Sequence, residues 1–290
     1  MTTRAQWLAG ARPRTLPAAV APVLVGSAAA DLVDGFDPLR AVLALVVALA
    51  LQVGVNYAND YSDGIRGTDT DRVGPVRLVG QGLATPPAVR TAALVAFAVA
   101  ALAGLILAVL TTLLLIPLGL VLFAAAWGYT GGRSPYGYRG FGEVSVFVFF
   151  GLVAVLGTTY VQAERLTLVS LLGGIGCGAL ACAILVTNNL RDIPSDTVAG
   201  KRTLAVRLGD GRTRLLYTGL LVAAVLVVLI EALSVPTALV ALFSAVAAAP
   251  PLRAVRSGAA GRDLVPVLVG TGRLQLLYGV LLAAGVAAGG

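Results

Sequence analysis

Long apolar runs separated by short polar stretches organise this chain. They cover about residues 16–31, 39–59, 88–111, 113–130, 142–162, 167–190, 212–231, 235–252 and 271–289. A helix needs about 20 apolar residues to cross the roughly 30 Å hydrocarbon core of a bilayer, so the pattern predicts nine membrane helices. The third and fourth runs meet so closely, between Thr111 and Pro117, that a tight helical hairpin is expected there. The first run, rich in Ala, Pro and Gly, has the look of a signal peptide. Arg12 and Arg14 lead into it and acidic residues follow it, so it is read as a retained helix. The alternation of a membrane β-barrel is absent from these unbroken runs.

Composition narrows the class. Charged residues are 12% of the 290 and hydrophobic ones 58%; a soluble domain carries about a quarter charged residues. A soluble enzyme is excluded. The chain has no histidine, which excludes His general catalysis and His metal sites. Cys177 and Cys182 share one apolar run and form neither a zinc pattern nor a disulfide framework; they read as a buried, inert pair. The net charge of +7 would suggest nucleic acid in a soluble protein. Here it is a matter of sidedness. Alternate loops take all the basic residues except Arg40 and Arg165. By the positive-inside rule the N-terminus is cytoplasmic and the C-terminus outside, and no nucleic-acid partner is expected.

The informative polar residues lie at the cytoplasmic ends of the second and sixth runs. One stretch reads Asn56-Tyr57-Ala58-Asn59-Asp60-Tyr61-Ser62-Asp63, the other Asn188-Asn189-Leu190-Arg191-Asp192-Ile193-Pro194-Ser195-Asp196. In each an Asn precedes an Asp by four residues, and a second Asp follows three or four later. Such offsets place side chains on one helical face, so each motif aims an amide and two carboxylates at one cavity. The regions near 56–77 and 188–203 form a pseudo-repeat within a single membrane domain, 1–290. Carboxylates beside apolar helices are costly and usually functional. Oxygen donors without His or thiolate suit a hard cation such as Mg²⁺, commonly held by a few carboxylates plus substrate phosphates. Arg66, Arg72 and Arg77 follow the first motif, and Lys201 and Arg202 the second. Bases beside metal-binding acids describe a diphosphate site. With apolar spans to house a lipid tail, the residues suggest an enzyme acting on a polyprenyl diphosphate.

The paired motifs resemble those of the UbiA superfamily of intramembrane prenyltransferases, over nearly the whole chain. Finer segments are similar to its branch that prenylates 1,4-dihydroxy-2-naphthoate in menaquinone synthesis. These are Ala11-Arg12-Pro13-Arg14-Thr15-Leu16-Pro17, Asp71-Arg72-Val73-Gly74-Pro75-Val76-Arg77, Pro135-Tyr136-Gly137-Tyr138-Arg139-Gly140 with Gly142-Glu143, and Gly200-Lys201-Arg202-Thr203-Leu204. The resemblance implies an all-α, polytopic fold of nine transmembrane helices around a central cavity. It also implies transfer of a polyprenyl group to the naphthoate carbon that carries the carboxylate, with loss of CO₂ and diphosphate to give demethylmenaquinol. A prokaryotic plasma membrane is the implied location.

On this reading Asp60, Asp63, Asp192 and Asp196 are the catalytic, Mg²⁺-holding acids, assisted by Asn56 and Asn188. Arg66, Arg72, Arg77, Lys201 and Arg202 bind the diphosphate. Stabilising a departing anion is where catalytic leverage is usually largest. Tyr61, Tyr136 and Tyr138 are candidates for shielding an allylic cation or for interfacial anchoring. Asn59, Arg12 and Arg14 are acceptor-side candidates, the two arginines alternatively serving as topological charge. Two rivals differ in kind: the same architecture with another acceptor (4-hydroxybenzoate or homogentisate), and an ion-coupled transporter with acids on broken helices.

Overall fold

A computed structural model describes residues 2–67, 76–129, 131 and 135–290. Among these the regular structure is entirely helical. A short surface helix, α1 (Arg4–Gly10), comes first. It is fixed by a capping box in which Thr3 and Gln6 exchange side-chain-to-backbone hydrogen bonds of 3.2 and 2.8 Å. Then follow α2 (Pro17–Asp31), α3 (Pro38–Ile65), α4 (Pro86–Leu110) and α5 (Leu115–Gly128). The rest are α6 (Gly142–Ala163), α7 (Leu168–Val198), α8 (Leu204–Glu231), α9 (Pro236–Arg256) and α10 (Gly261–Ala287), with short 3₁₀ or π segments inside α6, α9 and α10.

Seven of these, α3, α4 and α6 to α10, are long and apolar enough to cross a membrane. The expected count of nine is not confirmed. The runs at 16–31 and 113–130 do form helices, but of 15 and 14 residues. At 1.5 Å per residue these reach about 22 and 21 Å, short of the bilayer core. Other boundaries move outward. α3 continues through its acidic motif to Ile65, and α7 passes Pro194 to Val198. α8 begins at Leu204 and bends at Gly209, whose φ of +75° suits only glycine well.

The helices pack into one bundle. α3 packs on α4, α7 on α8, and α10 on both α2 and α9, while α2 also contacts α6. The main core lies between α2, α7, α8, α9 and α10, around Cys177, Leu180, Tyr217 and Leu282. Both cysteines are buried and unpaired with each other, as expected. A smaller core around Tyr57, Leu78 and Phe97 pins the segment after the first motif onto α3 and α4.

Small residues let α6 and α7 touch backbone to backbone. α6 is interrupted by a π segment, Val148–Val153, a form common at functional sites. A Cβ on Gly151 within it would stand 2.5 Å from Gly178 Cα and 2.6 Å from Gly174 O. Gly151→Ala is therefore expected to cost about 1–3 kcal/mol. The thermal midpoint in detergent checks this, and an unchanged midpoint would contradict the close approach.

Candidate active site

A cavity of about 1140 Å³ runs beside α3. Its walls are apolar side chains of α3, α4, α5 and α6, and one end is polar. At that end α3 presents Gln52, Asn56, Asn59 and Asp63, spaced by four, three and four residues along one face. α7 answers with Asn188, Asn189, Arg191 and Asp196. Arg12, Arg14, Arg77, Tyr136, Tyr138 and Lys201 complete the mouth.

The two motifs converge on one ammonium group. Lys201 Nζ lies 3.6 Å from Asp63 Oδ1 and 3.8 Å from Asp196 Oδ1, with all three side chains buried. Arg77 Nη1 approaches Asp63 Oδ2 at 3.8 Å. The Tyr138 hydroxyl donates to Asp63, and its ring lies 4.4 Å from Lys201 Nζ and 5.7 Å from the Arg66 guanidinium. Burial and the adjacent Asp63 carboxylate push the Tyr138 hydroxyl well above the ordinary phenol range, so it stays a donor. Backbone bonds hold the pieces together. Lys201 N donates to Asp196 O and Arg202 N to Tyr138 O, each at 2.8 Å.

The remaining expected residues are arranged differently. Asp60 is fully buried and does not line the cavity; its two oxygens accept from the amides of Leu78 (2.7 Å) and Val79 (3.1 Å). Asp192 faces its neighbour Arg191, taking Nε at 2.8 Å and Nη2 at 2.9 Å. The same guanidinium reaches Asn188 Oδ1 at 2.7 Å. Asn56 Nδ2 donates to Ala11 O and Thr15 Oγ1 at 2.9 and 3.0 Å, tying the N-terminal segment over the mouth. Tyr61 packs in the small core of α3 and α4 rather than in the cavity. Arg202 contributes its backbone, and its side chain is exposed. Arg72 lies outside the described residues. Arg12 lines the mouth in a left-handed backbone conformation, φ +54° and ψ +67°, of the kind that clusters at functional sites.

Four residues at or behind the site carry no role in the motif reading. Arg191 lies inside the second motif but reads there as topological charge. Asn189 Nδ2 donates to Glu143 Oε1 at 2.9 Å, so Glu143 holds a cavity-lining amide from behind. Gln52 belongs to the same face as Asn56, and its i, i+4, i+7 spacing was the available signal.

The donor chemistry fits a divalent hard cation. Among the described residues no three acidic or thiol side chains stand together, but two carboxylates share one cation position beside uncharged amides. Mg²⁺ is usually held by one or two carboxylates, with waters and substrate phosphates completing its shell.

A bundle of apolar helices with paired acidic motifs at the mouth of a lipid-sized cavity defines an intramembrane transferase acting on prenyl substrates. The UbiA prenyltransferase family model matches residues 19–266, and the chain belongs to that family. The 1,4-dihydroxy-2-naphthoate octaprenyltransferase of Mycobacterium tuberculosis is 56% identical over 100% of this chain and 99% of its own. The protein of that name from Escherichia coli is 43% identical over 75% and 73%. The fold is also that of solved UbiA homologues. The one from Aeropyrum pernix superposes with a TM-score of 0.70 at 17% identity, covering 92% of this chain and 96% of that one. The one from Archaeoglobus fulgidus bound to GPP and Mg²⁺ gives 0.63 at 13%, covering 98% and 99%.

Proposed function

We propose that this protein transfers a polyprenyl group from its diphosphate to 1,4-dihydroxy-2-naphthoate, yielding demethylmenaquinol, CO₂ and diphosphate. The observation that carries the reading is the convergence of Asp63 and Asp196 on Lys201 at the polar mouth of a deep apolar cavity. The names of the relatives support the acceptor, and the GPP and Mg²⁺ bound to the archaeal homologue support the donor and the metal.

In this proposal the apolar walls hold the tail and bring the diphosphate to the mouth. Arg77, Lys201 and Arg191 supply fixed positive charge where the anion departs. Asp63 and Asp196, with Asn59, would hold Mg²⁺, which when bound neutralises diphosphate charge. Asp60 and Asp192 position Arg77 and Arg191. The prenyl C–O bond breaks and its electron pair leaves with the diphosphate. The ring carbon bearing the carboxylate bonds to the prenyl carbon, and the pair of the C–CO₂ bond returns to the ring as CO₂ departs. Tyr136 and Tyr138 line the mouth, where an aromatic ring would shield the cation. Arg12 and Arg14 are the basic groups available for the acceptor carboxylate. The chain acts as one membrane domain with two related motifs, in a prokaryotic plasma membrane. The charge bias of the loops supports a cytoplasmic mouth and N-terminus and a C-terminus outside.

The test is incubation of membranes containing the protein with a polyprenyl diphosphate and competing aromatic acceptors. A decarboxylated prenyl-naphthoquinol by mass, formed only with Mg²⁺ and abolished by chelation, is expected. Preferential prenylation of 4-hydroxybenzoate, or undiminished product in excess chelator, would contradict the proposal.

A further inference from the structure

Glu143 and Asn189 form a pair that the diphosphate chemistry does not use. Glu143 stands in the first turn of α6, is buried, and does not itself line the cavity. The Cys182 thiol donates to its backbone oxygen at 3.1 Å, pinning the start of α6 against α7. Its Oε1 accepts from Asn189 Nδ2 at 2.9 Å, and its Oε2 has no hydrogen-bond partner among the described residues. Intramembrane carboxyls of this kind are costly and usually functional. A carboxylate only accepts hydrogen bonds, so it fixes which end of the Asn189 amide faces it. The NH₂ points back to Glu143, and the oxygen is left for the cavity that Asn189 lines. Asn188 differs, because its oxygen is already taken by Arg191 Nη2 at 2.7 Å.

Depth decides what that oxygen meets. Asn189 and Asp196 line the same cavity on one helix, seven residues or about 10 Å of axis apart. Mg²⁺ holds its ligands at about 2 Å, so Asn189 does not share a cation with Asp196. One turn further in, α7 lines the cavity with Ile184 and Leu185. Asn189 thus stands where the polar mouth gives way to the apolar wall, the level at which the prenyl carbon meets the ring. Of the groups brought there, diphosphate oxygens only accept and prenyl carbons carry no donor. The ring hydroxyls of the aromatic acceptor do donate.

We propose that Asn189 is a specificity-determining residue whose oxygen accepts a hydrogen bond from a ring hydroxyl of the acceptor, and that Glu143 is the positioning residue that turns it to do so. The inference rests on the prenyl-transfer reading of the site. The hydroxyl keeps its proton, because the electron pair released with CO₂ restores the ring without a base. Hydrogen bonding to Asn189 leaves more electron density on the ring, and the Glu143 carboxylate strengthens that bond by polarising the amide between them. An acceptor without the hydroxyl strands the amide oxygen and is rejected.

The test compares Asn189→Leu and Glu143→Gln with the unaltered protein in membranes. Both substitutions nearly keep the side-chain shape; the first removes the oxygen, and the second frees the amide to turn its NH₂ to the cavity. KM for 1,4-dihydroxy-2-naphthoate is expected to rise by about 10-fold or more in each, while KM for the prenyl diphosphate and the Mg²⁺ requirement stay within about twofold. 1-Hydroxy-2-naphthoate and 4-hydroxy-2-naphthoate, each lacking one hydroxyl, are then read as competitive inhibitors, so that ring reactivity does not enter. The analogue that keeps the bonded hydroxyl weakens in the variants as the parent acceptor does; the one that lacks it binds all three proteins within about twofold. Should Asn189→Leu fail to fold, Glu143→Gln alone carries the comparison. An unchanged acceptor KM, a defect in donor KM or Mg²⁺ requirement, or equal weakening of both analogues would overturn the proposal. Prenylation of 4-hydroxybenzoate instead of the naphthoate would sink the underlying reading only, and the same variants would then be compared on 4-hydroxybenzoate and benzoate.

Discussion

Asp63→Asn is expected to lower turnover by about 100-fold or more, roughly 2.7 kcal/mol of barrier, in a protein that still folds. The replacement keeps the shape of the side chain and an oxygen to accept from Tyr138. It removes the charge that Lys201 and Arg77 approach at 3.6 and 3.8 Å. Asp196 would then be the single carboxylate at the shared cation position. The diphosphate is itself an anion, so losing a carboxylate beside two cations does not weaken its electrostatic attraction. The defect should therefore appear in kcat and in the Mg²⁺ concentration for half-maximal activity, which rises, while KM for the donor does not. Near-normal turnover with unaltered Mg²⁺ dependence would remove Asp63 from the site.

How far the sequence foretells this site depends on what hydrophobicity can report. In water an amphipathic pattern shows which helix face turns inward. In a bilayer both faces are apolar, and helix packing is governed by small residues instead. The runs that became α3, α4, α7 and α8 were therefore legible as membrane helices, while their rotation was not. The four-residue spacing from Asn to Asp is met twice in the first motif, by Asn56 with Asp60 and by Asn59 with Asp63. Both asparagines line the cavity, but only the second acid does so with them. Asn59 and Asp63 continue the polar stripe begun by Gln52, whereas Asp60 stands at the edge of that face and turns to the amides of Leu78 and Val79. Glu143 reaches the site only through Asn189, and sequence proximity says nothing of a contact across 46 residues. The count of spans failed for a different reason. Apolar composition locates a helix but does not set its length, and α2 and α5 stop after 15 and 14 residues. The charge asymmetry, in turn, left Arg40 as a bare exception. Its use at the carbonyl ends of α4 and α6 needs the tertiary fold.

Asp60→Asn should separate the two acids of the first motif. Asp60 is fully buried, and its carboxylate receives two backbone N–H groups. An asparagine offers one of them an oxygen and the other an NH₂, placing donor against donor. Leaving a buried backbone N–H unsatisfied costs about 1–3 kcal/mol, and the lost charge weakens the bond that remains. The segment released begins one residue after Arg77, which lines the cavity and approaches Asp63. Activity is therefore expected to fall by about 10- to 100-fold, the usual cost of losing a group that orients a ligand from behind. A lower thermal midpoint should accompany the loss. The Mg²⁺ concentration for half-maximal activity should stay where it is, because Asp63 and Asp196 keep their charges. Asp63→Asn moves that concentration and spares stability; Asp60→Asn does the reverse. A rise in the Mg²⁺ requirement of Asp60→Asn, with no change in midpoint, would put Asp60 among the metal ligands and require the 78–79 amides to release it when the metal binds.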